Sequence, residues 1–378
     1  MAKKEIVWEF IEEDDLSYLK QPEEVYNVKH SDYYCYHTDG SNHYRRIFYG
    51  VEYSEFEKRH QKQLKEQIEN ENIELPEDWD DAQTLKYCYS GGFDLKKSIE
   101  SLRMHLEWRR NPIMHKMNKQ ALEILQEGVF YHLGRDKQFR PVVVLNMWKV
   151  NPKKTPVEVY LSAICNLLTK VSRVEFVKGY VESWVVILET NEKGVTDLEL
   201  ATINKIVQIM AKNFTSTLEK MFITNPSFLF SGAWSLIKNF IHPETSAKIN
   251  ILKKKDFHIM LDYIDADQLE EKYGGTIPNK TSFWPPENTL KQTINNNIQD
   301  LGVEENGNIE QSSMVSFKTI DNDSQQFFDQ QASPSKAQNV SLYTNPKGDV
   351  QQYQEMDSIS KPIQSTTSNS SCCKCNIF

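Results

Sequence analysis

The chain has 378 residues, room for two domains or for one large domain with tails. Its formal net charge of −9 disfavours non-specific binding to nucleic acid, and no nucleic-acid partner is expected. No apolar run reaches the ~18 residues of a membrane span, and the cysteines (Cys35, Cys88 and Cys165 scattered, Cys372, Cys373 and Cys375 crowded together) form no disulfide framework and suit a reducing compartment.

Met-Ala-Lys-Lys leads into Glu5, Trp8, Glu12 and Glu13 rather than an apolar core, so no secretory leader is expected. Residues 1–70 are charged and Tyr-rich with weak periodicity. They read as an N-terminal extension whose "EYSEFEKRHQKQLKEQIENENIE" is an exposed helix, and no chemistry is assigned to them. Residues 71–118 read as a helical lobe. In it "YSGGFD" joins two short helices, with Gly91-Gly92 as the turn and Asp94 as the cap of the second. Leu95, Ile99, Leu102 and Leu106 give that second helix its apolar stripe, and Asn111-Pro112 ends it.

From residue 128 strands and helices alternate. "GVFYHLGRDKQFRPVVVLNM" reads as a hairpin turning at Gly134–Lys137. "TPVE" at 155–158 reads as a capping box opening a helix whose apolar face runs from Val157 to Val171. "WVVIL" is a buried strand, Ile203, Ile206, Val207 and Met210 mark another helix, and "KMFIT" and "KINIL" are two further strands. This alternation predicts an α/β fold with a mixed, mostly parallel sheet over residues 119–288. Within it, Met221 to Ile241 holds twelve apolar residues and one charge, Lys238, yet Asn225-Pro226 interrupts any single helix there. Residues 289–378 are rich in Asn, Gln, Ser and Asp and read as a disordered tail.

No phosphate-binding loop, nucleophile elbow or His-Glu-x-x-His motif is present. Cys372 and Cys375 lack a second pair or a nearby histidine that would complete a zinc site. His132, His242 and His258 read as surface or hairpin residues rather than bases. The chain is therefore not expected to be an enzyme or to carry a metal or cofactor.

The run "TLEKMFITNPSFLFSGAWSLIKNFIHPETSAKINIL", the closing "LEEKYGG", the upstream "LKYCYSGGFDLKKSIESLRMHLEWRR" and the hairpin "GRDKQFRPVVV" together resemble the CRAL-TRIO lipid-binding family, in particular its phosphatidylinositol transfer proteins. The resemblance implies a helical N-terminal lobe, then a sheet and helices forming an apolar lipid cavity closed by a gate helix. Trp184, Phe228, Phe230, Trp234, Ile237, Phe240 and Ile241 would line that cavity or its gate. Glu219 and Lys248 would hold a phosphoinositide headgroup. Other basic headgroup positions of the family fall on Gly91 and Gly92, so half of that headgroup set is absent; its choline-lipid hydroxyl positions fall on Trp184 and Val186, so phosphatidylinositol rather than phosphatidylcholine is the expected lipid. The implied function is to bind a phospholipid and to transfer or present it at membrane surfaces, as a monomer, with the lipid as ligand and no cofactor. The alternative is a lipid-sensing adaptor in vesicle trafficking or small-GTPase signalling.

Cys375 stands fourth from the last residue, ahead of Ile377 and Phe378, in an imperfect prenylation pattern. One lipid chain anchors a protein only marginally, so Cys372 and Cys373 are expected to be palmitoylated as the second signal. A prenyltransferase would be a partner, and the protein would be cytoplasmic and peripherally membrane-anchored.

Overall fold

The computed structural model describes residues 6–191, 200–227 and 230–287. The elements below all belong to one compact unit, Trp8–Ala337. The expected tail and Cys372, Cys373 and Cys375 lie outside the described residues.

The extension carries a short helix α1 (Asp32–Cys35) and a hairpin of β1 (Tyr36–Asp39) and β2 (Asn42–Arg45). The lobe follows as α2 (Glu55–Asn70), α3 (Asp81–Ser90), α4 (Leu95–Arg110) and α5 (Lys119–Gln126). Ser54 with Glu57 and Asp80 with Gln83 form capping boxes, and Asp94 caps α4 by accepting from the Lys97 amide at 2.9 Å. The expected exposed helix is instead part of the lobe: α2 buries Glu57, Gln61, Leu64 and Ile68 and packs on α3 and α4. Two of those four positions are polar, which hid the stripe. Glu57 tolerates burial because Arg45 forks onto both of its oxygens. On α4 the stripe holds at Ile99, Leu102 and Leu106, whereas Leu95 at its first position is exposed.

The sheet is β3 (Phe130–Arg135), β4 (Pro141–Asn146), β5 (Trp184–Glu189), β6 (Leu218–Thr224) and β7 (Ile249–Leu252), side by side in that order. β3 and β4 are antiparallel and the other pairs are parallel. The crossovers hold α6 (Val157–Glu175), α7 (Leu200–Asn213), then α8 (Phe230–Ile237) and α9 (Pro243–Ala247). The expected mixed, mostly parallel sheet is therefore present, with two local differences. The hairpin turns at Asp136–Phe139, two residues later than expected, because Asp136 Oδ1 accepts the Gln138 and Arg140 amides at 2.9 and 2.8 Å. Gly134 instead sits inside β3 at a bulge, where a Cβ would lie 2.9 Å from Gln268 Oε1. The "TPVE" box does not form either: Pro156 takes the cap position of α6, leaving Thr155 outside the helix, and makes no side-chain cap.

Right-handed crossovers that always step the same way place α6, α7 and α8 on one sheet face. The opposite face packs Tyr131, Leu133, Val144, Val185, Ile187 and Phe222 against Phe257, Met260, Ile264, Leu269 and Tyr273 of the C-terminal segment.

Candidate functional site

Strand alternation sends Val186, Leu188, Met221, Ile223, Ile249 and Ile251 to the helix-covered face. The cover there is incomplete. α6 packs on β3 and buries Leu161, Ala163, Leu167 and Leu168, but α7 leans on α4 and α8, and its Ile206, Val207, Ile209 and Met210 are only half-buried. Ile251 on the sheet is 40% exposed and Leu236 on α8 is 50% exposed. Apolar side chains therefore stay accessible on the sheet and on α8, while on and just after α8 Ile237 is buried and Trp234 and Ile241 are half-buried. Phe228 lies outside the described residues; of Phe230 and Phe240 only the backbone is described, at the start of α8 and the end of the 3-10 turn after it. Trp184 opens β5 rather than sitting mid-floor; it is buried between Phe176 and Phe214, with ring centroids 5.3 and 5.6 Å away.

Glu219 is the second residue of β6 and Lys248 directly precedes β7, and the Met221 amide donates to the Lys248 carbonyl at 3.0 Å. They do not pair with each other. Lys248 Nζ meets Glu244 Oε1 at 3.0 Å. Glu219 is 7% exposed, paired with Arg46, with Arg140 Nη1 at 3.0 Å and accepting from the Tyr34 hydroxyl at 3.0 Å. Burial pushes its carboxyl pKa up, but Arg140 and Arg46, helped by Tyr34 and Lys248, outweigh that and hold it below the ordinary value. Burial also pushes the Tyr34 phenol up to about 12, so it stays a donor. Arg46, Arg140 and Lys248 thus gather three cations around one buried carboxylate.

Two members of this cluster, Tyr34 and Arg46, come from the extension to which no chemistry was assigned. The extension runs as a strap along the strands' lower edge. Gln21 Nε2 donates to the Phe139 and Glu175 carbonyls at 2.7 and 2.9 Å, and His30 Nε2 meets the Tyr180 carbonyl at 2.7 Å. Buried Glu182 accepts the Phe48, Tyr49 and Gly179 amides at 3.0 Å each. The signal available in the sequence was the pair Arg45-Arg46 inside a Tyr-rich stretch. The glycine at 91, by contrast, leaves no room for a basic side chain: a Cβ there would lie 2.3 Å from Ser98 Oγ and 2.5 Å from its backbone N.

Of the histidines, His242 and His258 are exposed, but His132, though in the hairpin, is buried with Nε2 2.8 Å from Glu175 Oε1, a carboxylate that Arg135 also binds at 2.9 Å. Its β3 position turns it inward beneath α6, which a strand flanked by charged residues did not reveal. Among the described residues no cluster of His, Cys, Asp and Glu is placed to hold a metal ion, and no helix is long and apolar enough to cross a membrane.

Known proteins share this pattern. The chain is 29% identical over 221 residues to the phosphatidylinositol/phosphatidylcholine transfer protein SFH4 of Arabidopsis thaliana, covering 53% of this chain and 36% of the relative. It is 26% identical over 226 residues to the Sec14 cytosolic factor of Schizosaccharomyces pombe, covering 55% of this chain and 79% of the relative. The chain spans about two fifths of the length of the Arabidopsis relatives SFH4 and SFH12. The crystal structure of Sfh5 matches 66% of this chain and all of its own at 18% identity, with a TM-score of 0.47. The CRAL/TRIO domain matches residues 125–275, from the end of α5 through the last turn of the C-terminal segment. Over residues 125–275, with strands and helices in the order the motifs implied, the chain is similar to the CRAL-TRIO family.

Proposed function

We propose that this protein binds a phospholipid, phosphatidylinositol first among them, with its acyl chains in a trough beneath α8 and its headgroup phosphate beside Lys248, Arg46 and Arg140, and that it moves or presents that lipid at membranes. The observation that carries the reading is the pairing of an accessible apolar floor and lid with a cation cluster at one end of the floor. Each buried methylene of an acyl chain gains ~0.8 kcal/mol, so such a trough holds lipid without covalent chemistry. The relatives named for phosphatidylinositol and phosphatidylcholine transfer support the same lipid class. In this arrangement Glu219 orients the two arginines, and Lys248, whose ion-pair partner among the described residues is the half-buried Glu244, meets the phosphate. The test is mass spectrometry of lipid that co-purifies with the protein, followed by movement of labelled phosphatidylinositol between liposomes. Lipid-free protein that also fails to take up phosphatidylinositol would refute the reading; binding without movement would favour the sensing adaptor.

Lys248→Ala removes the phosphate's cation and is expected to weaken phosphatidylinositol binding by ~1.5–3 kcal/mol, roughly 10- to 100-fold. Wild-type affinity in that variant would take Lys248 out of the site. Lipidation of Cys375 by a prenyl group and of Cys372 and Cys373 by palmitate would keep such a domain near its membrane. Cys375→Ser is then expected to shift the protein from the membrane to the soluble fraction; fractionation identical to wild type argues against the anchor.

A further inference from the structure

A cavity opens at the start of β5, lined by Trp184 but not by Val186 or Leu188. It lies between the helical lobe and the base of the sheet and has a volume of about 580 Å³. That volume is typical of sites for drug-sized ligands. Its lobe side presents Trp79, Tyr87 and Trp108, and its sheet side presents Phe176, Trp184 and Phe214. None of Glu219, Arg46, Arg140 or Lys248 lines it.

The charges around the cavity are arranged unevenly. Arg109 is held by both oxygens of Asp78, at 2.9 and 3.0 Å, and Lys86 faces buried Glu182 at 3.7 Å. Burial pushes the His105 pKa down to about 4, so this ring is neutral at pH 7. Arg173 and Lys178 differ: their side chains are 66% and 69% exposed, with carboxylate partners at 3.9 Å (Glu13) and 3.2 Å (Asp80). These two cations therefore stand at the mouth over an aromatic interior, Lys178 also lying 4.4 Å from the Tyr49 ring centroid. Inside, Thr169 Oγ1 is buried without a hydrogen-bond partner, a polar atom left for something that enters.

We propose that this cavity is a second binding site, for a flat, drug-sized organic anion whose apolar body lies among Trp79, Trp108 and Trp184 and whose charged group meets Arg173 and Lys178. Aromatic walls favour a flat body through offset and edge-to-face packing, and two exposed cations favour a single anionic group left near solvent. A neutral ligand would leave the mouth unused, and a two-chain phospholipid needs a longer apolar channel than six rings around a compact space provide.

The probe is 1-anilinonaphthalene-8-sulfonate, a flat sulfonate dye, with the uncharged N-phenyl-1-naphthylamine as its control. Both are titrated into the full chain before and after incubation with phosphatidylinositol vesicles, reading energy transfer from tryptophan. The expected result is one saturable sulfonate site that survives vesicle treatment. Arg173→Glu/Lys178→Glu is expected to weaken the sulfonate dye at least tenfold while leaving the uncharged dye unchanged; both positions are solvent-facing, so folding is retained. Thr169→Trp, which fills the cavity, is expected to abolish the site. Loss of the dye on vesicle treatment would assign its site to the trough and overturn the proposal. So would an affinity that charge reversal leaves unchanged, or the absence of a saturable site. Failure of phosphatidylinositol uptake alone would count against the lipid reading and leave this result standing.

Discussion

Glu219→Ala is expected to cost about 3 kcal/mol of stability, the low end of the ~3–5 kcal/mol range for removing one partner of a buried ion pair. The low end applies because Arg46 is 30% exposed and can turn to water, and because Arg140 keeps Asp136 at 2.6 Å. The Tyr34 hydroxyl loses its acceptor as well. Urea unfolding reads the effect as a lower midpoint at unchanged slope, and a loss below 1 kcal/mol would mean that the strap closes over the gap at no cost. The same carboxylate sets an acid limit. Its pKa is held below the ordinary glutamate value, so its contribution is fully present above that value and is lost as pH falls through the lowered folded value. Wild type should therefore lose stability on acidification more steeply than Glu219→Gln, which has no carboxylate to protonate there.

Arg45→Ala is expected to be at least as damaging, at about 3–5 kcal/mol, since it leaves Glu57 charged, buried and short of its main partner. Arg45 and Glu57 are 1% and 0% exposed at their side chains, and Arg45 also donates to the Ile47 and Glu52 carbonyls at 3.0 and 3.1 Å. Arg45→Lys should recover only part of the loss, because an ammonium cannot reproduce the fork onto both carboxylate oxygens. Arg45→Leu/Glu57→Leu should recover more than either single change, since no lone charge is left inside. If Arg45→Ala unfolds at the wild-type urea midpoint, the pair is not what seats the extension on the lobe.

The order of strands and helices from β3 to β7 was legible because each buried strand is a short, continuous apolar run, and because the gate stretch breaks at Asn225-Pro226. The capping of α4 by Asp94 was legible for the same reason: the signal is local. What the sequence hid depends on partners distant in the chain. α2 reads as exposed because Glu57 and Gln61 occupy half its buried stripe, and the glutamate is explained by Arg45, Ser54 and Tyr89 together. The hairpin turn slipped by two residues because Asp136, not the glycine, organises it. Glu219 lies in β6 and Lys248 just before β7, but the arginines beside Glu219 come from 173 and 79 residues earlier in the chain, and no local pattern announces them. Trp184 was expected to line the lipid cavity or its gate; its neighbours Phe176 and Phe214 were not foreseen.

The strap has a consequence for how this protein can be divided. A fragment trimmed to residues 125–275 would keep every strand of the sheet yet lose Leu19, Gln21, Tyr34, Arg46, Phe48 and Tyr49. Glu182 would then face solvent without two of its three amide donors, and Glu219 would keep Arg140 but lose Arg46 and Tyr34. Arg135 would lose the carbonyl it meets at Leu19. The part of the chain that matches the CRAL/TRIO domain thus has buried charges completed by the upstream chain. Swapping it into a relative, or taking it alone for crystallisation, would carry off a sheet whose lower rim had been completed by residues more than a hundred positions upstream.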